Sequence, residues 1–256
     1  MLLTKKEIDM FEIKIDDAKY WKSIINSIVA LIDEGSLNIT KEGISLKAMD
    51  PSGISMISFF MPNKAFSKYT IDKNASVGLN LDNLSKVLSS SRNGEQLVMK
   101  ESSGRFDMEF TTQNSKRRYK LPIIDVGKEP EKEPKIDFES FVEVKSDSFK
   151  EILKDATLLS SYIGFKTDKS TFVVLAKGDA GELEEEHLDS ADMIKKIDVS
   201  KATSATFNLE YLERIVGGCP LDSSITLHMK NDEPLKIDYK IGEASLIYYL
   251  APYIEG

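Results

Sequence analysis

Cysteine and histidine are nearly absent from this chain: Cys219 stands alone, and His187 and His228 are the only imidazoles. One thiol permits no intrachain disulfide and suits a reducing compartment, the cytosol. The two histidines lie in different contexts, with neither a base partner nor a second metal ligand at motif spacing. Also missing are the phosphate loop G-x-x-x-x-G-K-[ST], the dinucleotide fingerprint G-x-G-x-x-G, the H-E-x-x-H pair and the calcium loop D-x-[DN]-x-[DN]-G. These gaps argue against catalysis and against any cofactor or metal. No apolar run approaches the roughly 18–20 residues of a membrane span. The opening Met-Leu-Leu-Thr-Lys-Lys-Glu-Ile-Asp lacks a signal-peptide core. Positive charge is in deficit, with 34 Lys and Arg against 42 Asp and Glu and a net −8. Nucleic acid could then be held only through a locally basic surface.

What is present is organised around Leu121–Ile136. After an apolar entry, Val126–Pro134 is rich in Gly, Pro and charge and reads as an exposed, semi-stiff connector. It sits at mid-chain of 256 residues, and 41% apolar composition is enough for two cores of roughly 120 residues each. The expected division is a domain over 1–125, with 1–9 as an extension, a connector over 126–135, and a domain over 136–256.

In the first half, alternation predicts a strand over Ile8–Ile15. Helical spacing predicts a helix over Ala18–Ile32, capped by Asp16 or Asp17 and followed by Gly35. Strands are expected at Ser36–Thr40, Gly43–Ala48 and Ile54–Met61, the last two joined by the turn Met49-Asp50-Pro51-Ser52-Gly53. Lys68–Ile71 and Ser76–Asn80 read as extended, Leu81–Ser89 as helix, and Gln96–Glu101, Arg105–Thr111 and Arg117–Ile124 as hairpin strands. In the second half, strands are expected at Phe138–Val144, Tyr162–Lys166, Thr171–Ala176, Ser224–Met229, Leu235–Lys240 and Leu246–Leu250. Helices are expected at Asp147–Leu159 and Leu209–Val216.

A shift of 128 residues lays Trp21-Lys22-Ser23-Ile24-Ile25 on Phe149-Lys150-Glu151-Ile152-Leu153. The same shift lays Asn80–Leu88 on Asn208–Val216 without a gap. Two matches at one shift, in the same order of elements, favour an internal duplication over a mere recurrence of strand–helix–strand patterns.

Two charge patterns stand out. The helices carry small polar residues and scattered cations: Lys19, Lys22, Ser23 and Asn26; Ser85, Lys86, Ser89 and Ser90; Lys150 and Lys154; and Arg214. Such a surface could touch DNA phosphates loosely; a solvated helix face would look the same, and Glu151, Asp155, Glu210 and Glu213 dilute the charge. Second, Lys116-Arg117-Arg118-Tyr119-Lys120 is basic and Glu182-Leu183-Glu184-Glu185-Glu186 is acidic. On exposed sheet edges, one copy's basic strand could pair with the next copy's acidic strand, a head-to-tail contact able to close a ring.

Leu46–Met56, built on Met49-Asp50-Pro51-Ser52-Gly53-Ile54, resembles the turn of the sliding clamps. Leu246-Ile247-Tyr248-Tyr249-Leu250-Ala251-Pro252-Tyr253-Ile254-Glu255 is similar to their tail. Val77–Leu81 and Pro234–Tyr239 match as well. The chain is identified on these residues, from Met10 to Gly256, as a member of the proliferating cell nuclear antigen family in its archaeal form.

The resemblance implies a duplicated α+β clamp fold, with antiparallel sheets outside and four helices lining the channel of a three-copy ring around double-stranded DNA. It implies no catalysis, and a role in tethering DNA polymerase, flap endonuclease and DNA ligase, with loading by replication factor C. In an archaeon the location would be the cytoplasm, at the nucleoid. Partner peptides would enter a groove formed by Met49, Gly53, Ile54, Met56, Val126, Pro234, Tyr249, Ala251 and Pro252. The DNA-facing set would be Lys19, Lys22, Lys86, Lys150, Lys154 and Arg214. The contact between copies would use Lys116, Arg117, Arg118, Glu182, Glu184 and Glu185. Two departures are visible: nine residues precede Met10, and the connector carries Glu, Lys and Pro where apolar anchors are expected. The alternatives are a non-DNA scaffold or one member of a heterotrimer on the same fold, and an enzyme without a recognisable motif.

Overall fold

The computed structural model describes residues 10–127 and 132–254. Along the first half run β1 (Phe11–Ile15), α1 (Ala18–Val29), β2 (Glu34–Ile39), β3 (Gly43–Met49), β4 (Ser55–Pro62), β5 (Lys68–Ile71), β6 (Ala75–Asn80), α2 (Leu81–Ser89), β7 (Gln96–Ser102), β8 (Arg105–Thr111) and β9 (Lys116–Pro122). Along the second run β10 (Ser140–Lys145), α3 (Ser146–Thr157), β11 (Tyr162–Asp168), β12 (Thr171–Gly178), β13 (Gly181–Leu188), β14 (Ile194–Val199), β15 (Thr203–Asn208), α4 (Leu209–Gly217), β16 (Ser224–Met229), β17 (Leu235–Ile241) and β18 (Ala244–Leu250). The order of strands and α-helices is the same in both halves, the first adding one short 3-10 turn at Asn63–Ala65. So is the pairing: β5-β1-β7-β8-β9 answers to β14-β10-β16-β17-β18, and β4-β3-β2-β6 to β13-β12-β11-β15.

The chain divides into two compact units, one of Met1–Lys47 with Phe59–Glu129, the other of Ala48–Ser58 with Pro130–Gly256. A division at the connector alone would leave Ala48–Ser58 with the first unit. It joins the second because its turn is fastened to α4 and its strand to the C-terminal tail.

In the first unit, α1 and α2 pack together. Trp21 is wholly buried, with its ring edge-on to Phe59 and tilted against Phe66. Asp17 caps α1 by accepting from the Lys19 N–H at 2.8 Å. The helix ends at Val29, three residues short of the expected end. Leu31 and Ile32 remain buried, but in a turn whose N–H groups both bond back to the Ile28 carbonyl. Gly35 lies in β2 and is not the helix terminator. Gly78 lets the chain entering the connector pass close: Ile124 N–H donates to its carbonyl at 2.9 Å, and a Cβ on Gly78 would sit 2.1 Å from the Ile124 oxygen.

In the second unit, α3 packs on α4, and Phe149, Phe165, Phe172 and Phe207 form the aromatic centre. The duplication reaches the caps: Asn80 accepts from Asn83 N–H at the start of α2, and Asn208 from Tyr211 N–H at the start of α4. Strands β14 and β15 are not among those expected from the sequence, and β13 enters there only as the acidic sheet edge around Glu182–Glu186. Four glutamates in β13 and the polar composition of β15 run against strand propensity, and pairing with β12 and β11 overrides it. Of the expected Ile8–Ile15 strand, residues 8 and 9 lie outside the described residues.

Candidate functional site

The turn after β3 is built by one carboxylate. Asp50 is buried, at 5% exposure, and its Oδ1 and Oδ2 accept from the Ser55 and Ser52 N–H groups at 2.5 and 3.0 Å. The Tyr211 hydroxyl, on α4, donates to Oδ2 at 2.8 Å. Burial opposes ionisation, but these three donors outweigh it and hold the carboxyl below its ordinary range. Gly53 closes the turn at φ +71°, a left-handed conformation that glycine adopts without strain. The result is a rigid pedestal for two apolar side chains, Met49 and Ile54, which stand 47% and 37% exposed.

The tail lies alongside. Ala251 N–H donates to the Ile54 carbonyl at 2.9 Å, and Tyr253 N–H to the Thr206 carbonyl at 2.7 Å. The Tyr253 ring rests on Tyr162, with centroids 4.0 Å apart, and Ile254 is 70% exposed. Pro234, Ala251 and Pro252 are half-buried. The second unit therefore presents an apolar strip of Met49, Ile54, the tail and Pro234. Met56 is not on that surface: at 3% exposure it is core beneath β4. Tyr249 is covered too, and its hydroxyl donates to Glu133 of the connector at 3.0 Å. Burial, and then the Glu133 carboxylate, push that phenol well above its usual range. The other oxygen of Glu133 accepts from the Ser58 hydroxyl at 2.8 Å. A carboxylate with two hydroxyl donors thus fastens the connector where apolar anchors were expected. Val126 belongs to the first unit and is half-buried beside Gly78. None of Asp50, Tyr211 and Glu133 is among the site residues expected from the sequence. Only Asp50 carried a signal, as the turn-forming Asp of Met-Asp-Pro-Ser-Gly.

The helices differ in how free their cations are. Lys22 is half-buried on α1, while Lys86 on α2 and Lys154 on α3 are exposed. Lys19 is exposed and bonded to Asn93. Ser85 on α2 donates to Asn26 on α1 at 2.9 Å, which puts these polar residues on one shared face. Arg214 is exposed but paired with Glu210 one turn earlier, at 2.7 Å. Lys150 does not belong with this set. Its ammonium caps the end of α4, donating to the Gly217 and Cys219 carbonyls at 3.2 and 2.5 Å, and burial lowers its pKa.

Among the described residues, β9 and β13 each end a sheet order. Period-two alternation splits their charges between faces. Lys116, Arg118 and Lys120 point away from the buried Phe106, Met108 and Phe110, as do Glu182, Glu184 and Glu186 from the buried Phe172 and Val174. Arg117 and Glu185, opposite Phe110 and Val174, lie on the other faces and do not join the outward charges of the expected contact between copies. Arg117 Nη2 donates to both carboxylate oxygens of Glu95, at 2.8 and 2.7 Å, and to the Ser90 carbonyl at the end of α2, while the guanidinium stacks over Phe110. Glu95 is 1% exposed; burial would raise its pKa, but Arg117 and the Arg92 N–H hold it low. Glu185 lies 3.1 Å from His187.

Residues 10–129 match the family model described as proliferating cell nuclear antigen, N-terminal domain, and residues 132–254 match its C-terminal domain. The chain is 31% identical to a DNA polymerase sliding clamp of Thermofilum pendens, over 96% of this chain and 100% of that one. It is 33% identical to a DNA polymerase sliding clamp of Pyrococcus abyssi, over 96% and 99%. Among solved structures, the fold is shared with a PCNA of Thermococcus kodakaraensis at TM-score 0.90 and 22% identity, covering 95% of this chain and 100% of that one. It is also shared with A. fulgidus PCNA solved with the C-terminal region of FEN-1, at TM-score 0.87 and 22% identity, covering 96% and 100%.

Proposed function

The chain belongs to the proliferating cell nuclear antigen family of DNA polymerase sliding clamps, and from that premise we propose how it acts. Three copies close head to tail around duplex DNA. The observation that carries this reading is the repeat itself. In the second unit, β18 lies beside the Ser55–Ser58 part of β4. In the repeat, β9 answers to β18 and β13 to β4, and both are open edges. Pairing β9 of one copy with β13 of the next reproduces the pairing already made within the chain, and it sets Lys116, Arg118 and Lys120 against Glu182, Glu184 and Glu186. Leu158 and Leu188, exposed at 72% and 52%, add apolar area beside the acidic edge. Both edges belong to one chain, which favours self-closure over a paralogous partner.

In this ring the helices face the DNA with Lys19, Lys22, Lys86, Lys154 and Arg214. Retention is topological, so the cations need only offset phosphate repulsion and permit sliding. The ring does no chemistry of its own. It raises the effective concentration of bound enzymes at their substrate, the clamp loader opening it with ATP bound elsewhere. Polymerase, flap endonuclease and ligase dock through short peptides whose aromatic and aliphatic anchors settle on Met49, Ile54 and the tail, while main-chain groups of the tail pair with the peptide.

The test is retention on DNA of different topology. Light scattering should give the mass of a trimer, and clamp loaded onto a nicked circle should stay bound until the circle is linearised. A persistent monomer, or equal retention on linear and circular DNA, overturns the ring.

A further inference from the structure

The basic edge strand is largely neutralised from within its own sheet. Glu109 on β8 stands opposite Arg118 in the β8–β9 register, and its two oxygens bind Lys116 Nζ at 2.9 Å and Arg118 Nε at 2.5 Å. Asp107, two residues along, stands opposite Lys120 at a looser 3.6 Å. Three cations on the outer face of β9 thus meet two carboxylates. The acidic edge is less compensated: Glu182 pairs with Lys177 at 2.6 Å, whereas Glu184 and Glu186 form no ion pair with a described residue.

We propose that Glu109 is an internal competitor for the basic edge, weakening each contact between copies and keeping the ring openable. The proposal rests on the reading of β9 and β13 as that contact. Lys116 and Arg118 are about two-thirds exposed, so their pairs with Glu109 are surface pairs, each worth little by itself and readily exchanged. When an acidic strand docks, both cations must leave Glu109 or share it, and Glu109 itself is brought close to Glu184 and Glu186. Like charge so placed subtracts from the attraction. The outer face of β9 carries a net single positive charge with Glu109 ionised and two without it, against a net of two negative charges on β13. Replacing Glu109 with the isosteric, uncharged glutamine should therefore strengthen the electrostatic part of the contact. Glu109 is ionised at any pH near neutrality: burial would raise its pKa, but Lys116 and Arg118 lower it. The competition is therefore built in and not switched by mild acid.

A Coulomb estimate for one unit charge across a solvated contact gives a change of roughly threefold per contact at low salt. Over three contacts this compounds to about 27-fold in the monomer–trimer constant. The midpoint concentration, which scales as the square root of that constant, then falls about fivefold. The experiment compares wild type, Glu109→Gln and Arg118→Glu by mass photometry across nanomolar concentrations. Subunit exchange between isotope-labelled and unlabelled protein, followed by native mass spectrometry, gives the opening rate even where no monomer accumulates. Glu109→Gln should lower the midpoint, slow exchange and steepen the dependence on salt. A change in salt slope separates competition from mere loss of sheet stability. Unchanged or faster exchange in Glu109→Gln, with the ring dissociated by Arg118→Glu, overturns the competitor and leaves the edge contact standing. An oligomer indifferent to Arg118→Glu overturns the edge contact, and the competitor with it. A wild-type monomer that assembles once Glu109 is Gln would support both.

Discussion

The Tyr211 hydroxyl reaches Asp50 Oδ2 across 161 residues of sequence, at 2.8 Å. One end of this bond is the first residue of a surface turn and the other is on a helix, so α4 sets the height at which Met49 and Ile54 are presented. Tyr211→Phe should cost roughly 1.5–3 kcal/mol of stability, the range for a hydrogen bond to a charged group. It should weaken docking of a partner peptide several-fold without changing the oligomer. Chemical denaturation and fluorescence anisotropy with a labelled peptide check the two effects separately; full affinity in the variant would show that the turn holds itself.

The apolar strip makes its own prediction. Ile54→Ala with Tyr249→Ala should abolish peptide binding while the light-scattering mass stays that of wild type. The first change removes an exposed anchor. The second removes the ring covered by the strip and the hydroxyl that holds Glu133. Retained affinity in the double variant would remove this surface from consideration.

Edge pairing predicts a charge-swap rescue. Lys116→Glu with Arg118→Glu places like charges opposite β13 and should dissociate the ring. Glu184→Lys with Glu186→Lys in the same chain should restore it at least in part. Sedimentation velocity at low salt reads both, and dissociation that no reversal rescues would argue that the first pair had only damaged the sheet.

Arg117 predicts differently from its neighbours. Arg117→Met leaves the Glu95 carboxylate buried at 1% exposure with its main partner gone, and should cost about 3–5 kcal/mol. Adding Glu95→Gln should recover much of the loss, because the uncompensated charge is then gone. Urea denaturation of the two variants decides it, and equal destabilisation of both would mean that packing of the arginine over Phe110 dominates.

Acid stability should carry the mark of Glu12. The Lys100 and Lys68 ammonium groups, at 2.6 and 2.5 Å, hold its pKa down at about 2. A depressed folded-state value stabilises the ionised form. The contribution is full above the unfolded value of roughly 4.3 and is lost as pH falls from there through about 2. Both lysines are partly exposed, so the contribution is on the order of 1–2 kcal/mol after screening. Glu12→Gln should be less stable than wild type at neutral pH by that amount, and the two denaturation midpoints should converge toward pH 2.

Much of this molecule follows from local sequence. The spacing of Trp21, Ile24, Ile25 and Ile28 makes α1, and the match of Asn80–Leu88 with Asn208–Val216 repeats even the capping asparagine. The turn and tail pointed to the family, because each is a short contiguous run. Which way a strand's side chains point depends on its register with its neighbours, and whether its edge is open depends on what else lies in the sheet. Tertiary structure alone therefore separated Arg117, turned inward to Glu95, from Arg118, turned outward to Glu109. It also took Lys150 from the helix face to the end of α4, made Met56 core, and fastened the connector through Glu133. The sequence fixes the period of side chains along an element. The packing of elements distant in the chain decides which partner each charge meets, and a charge acts through its nearest partner.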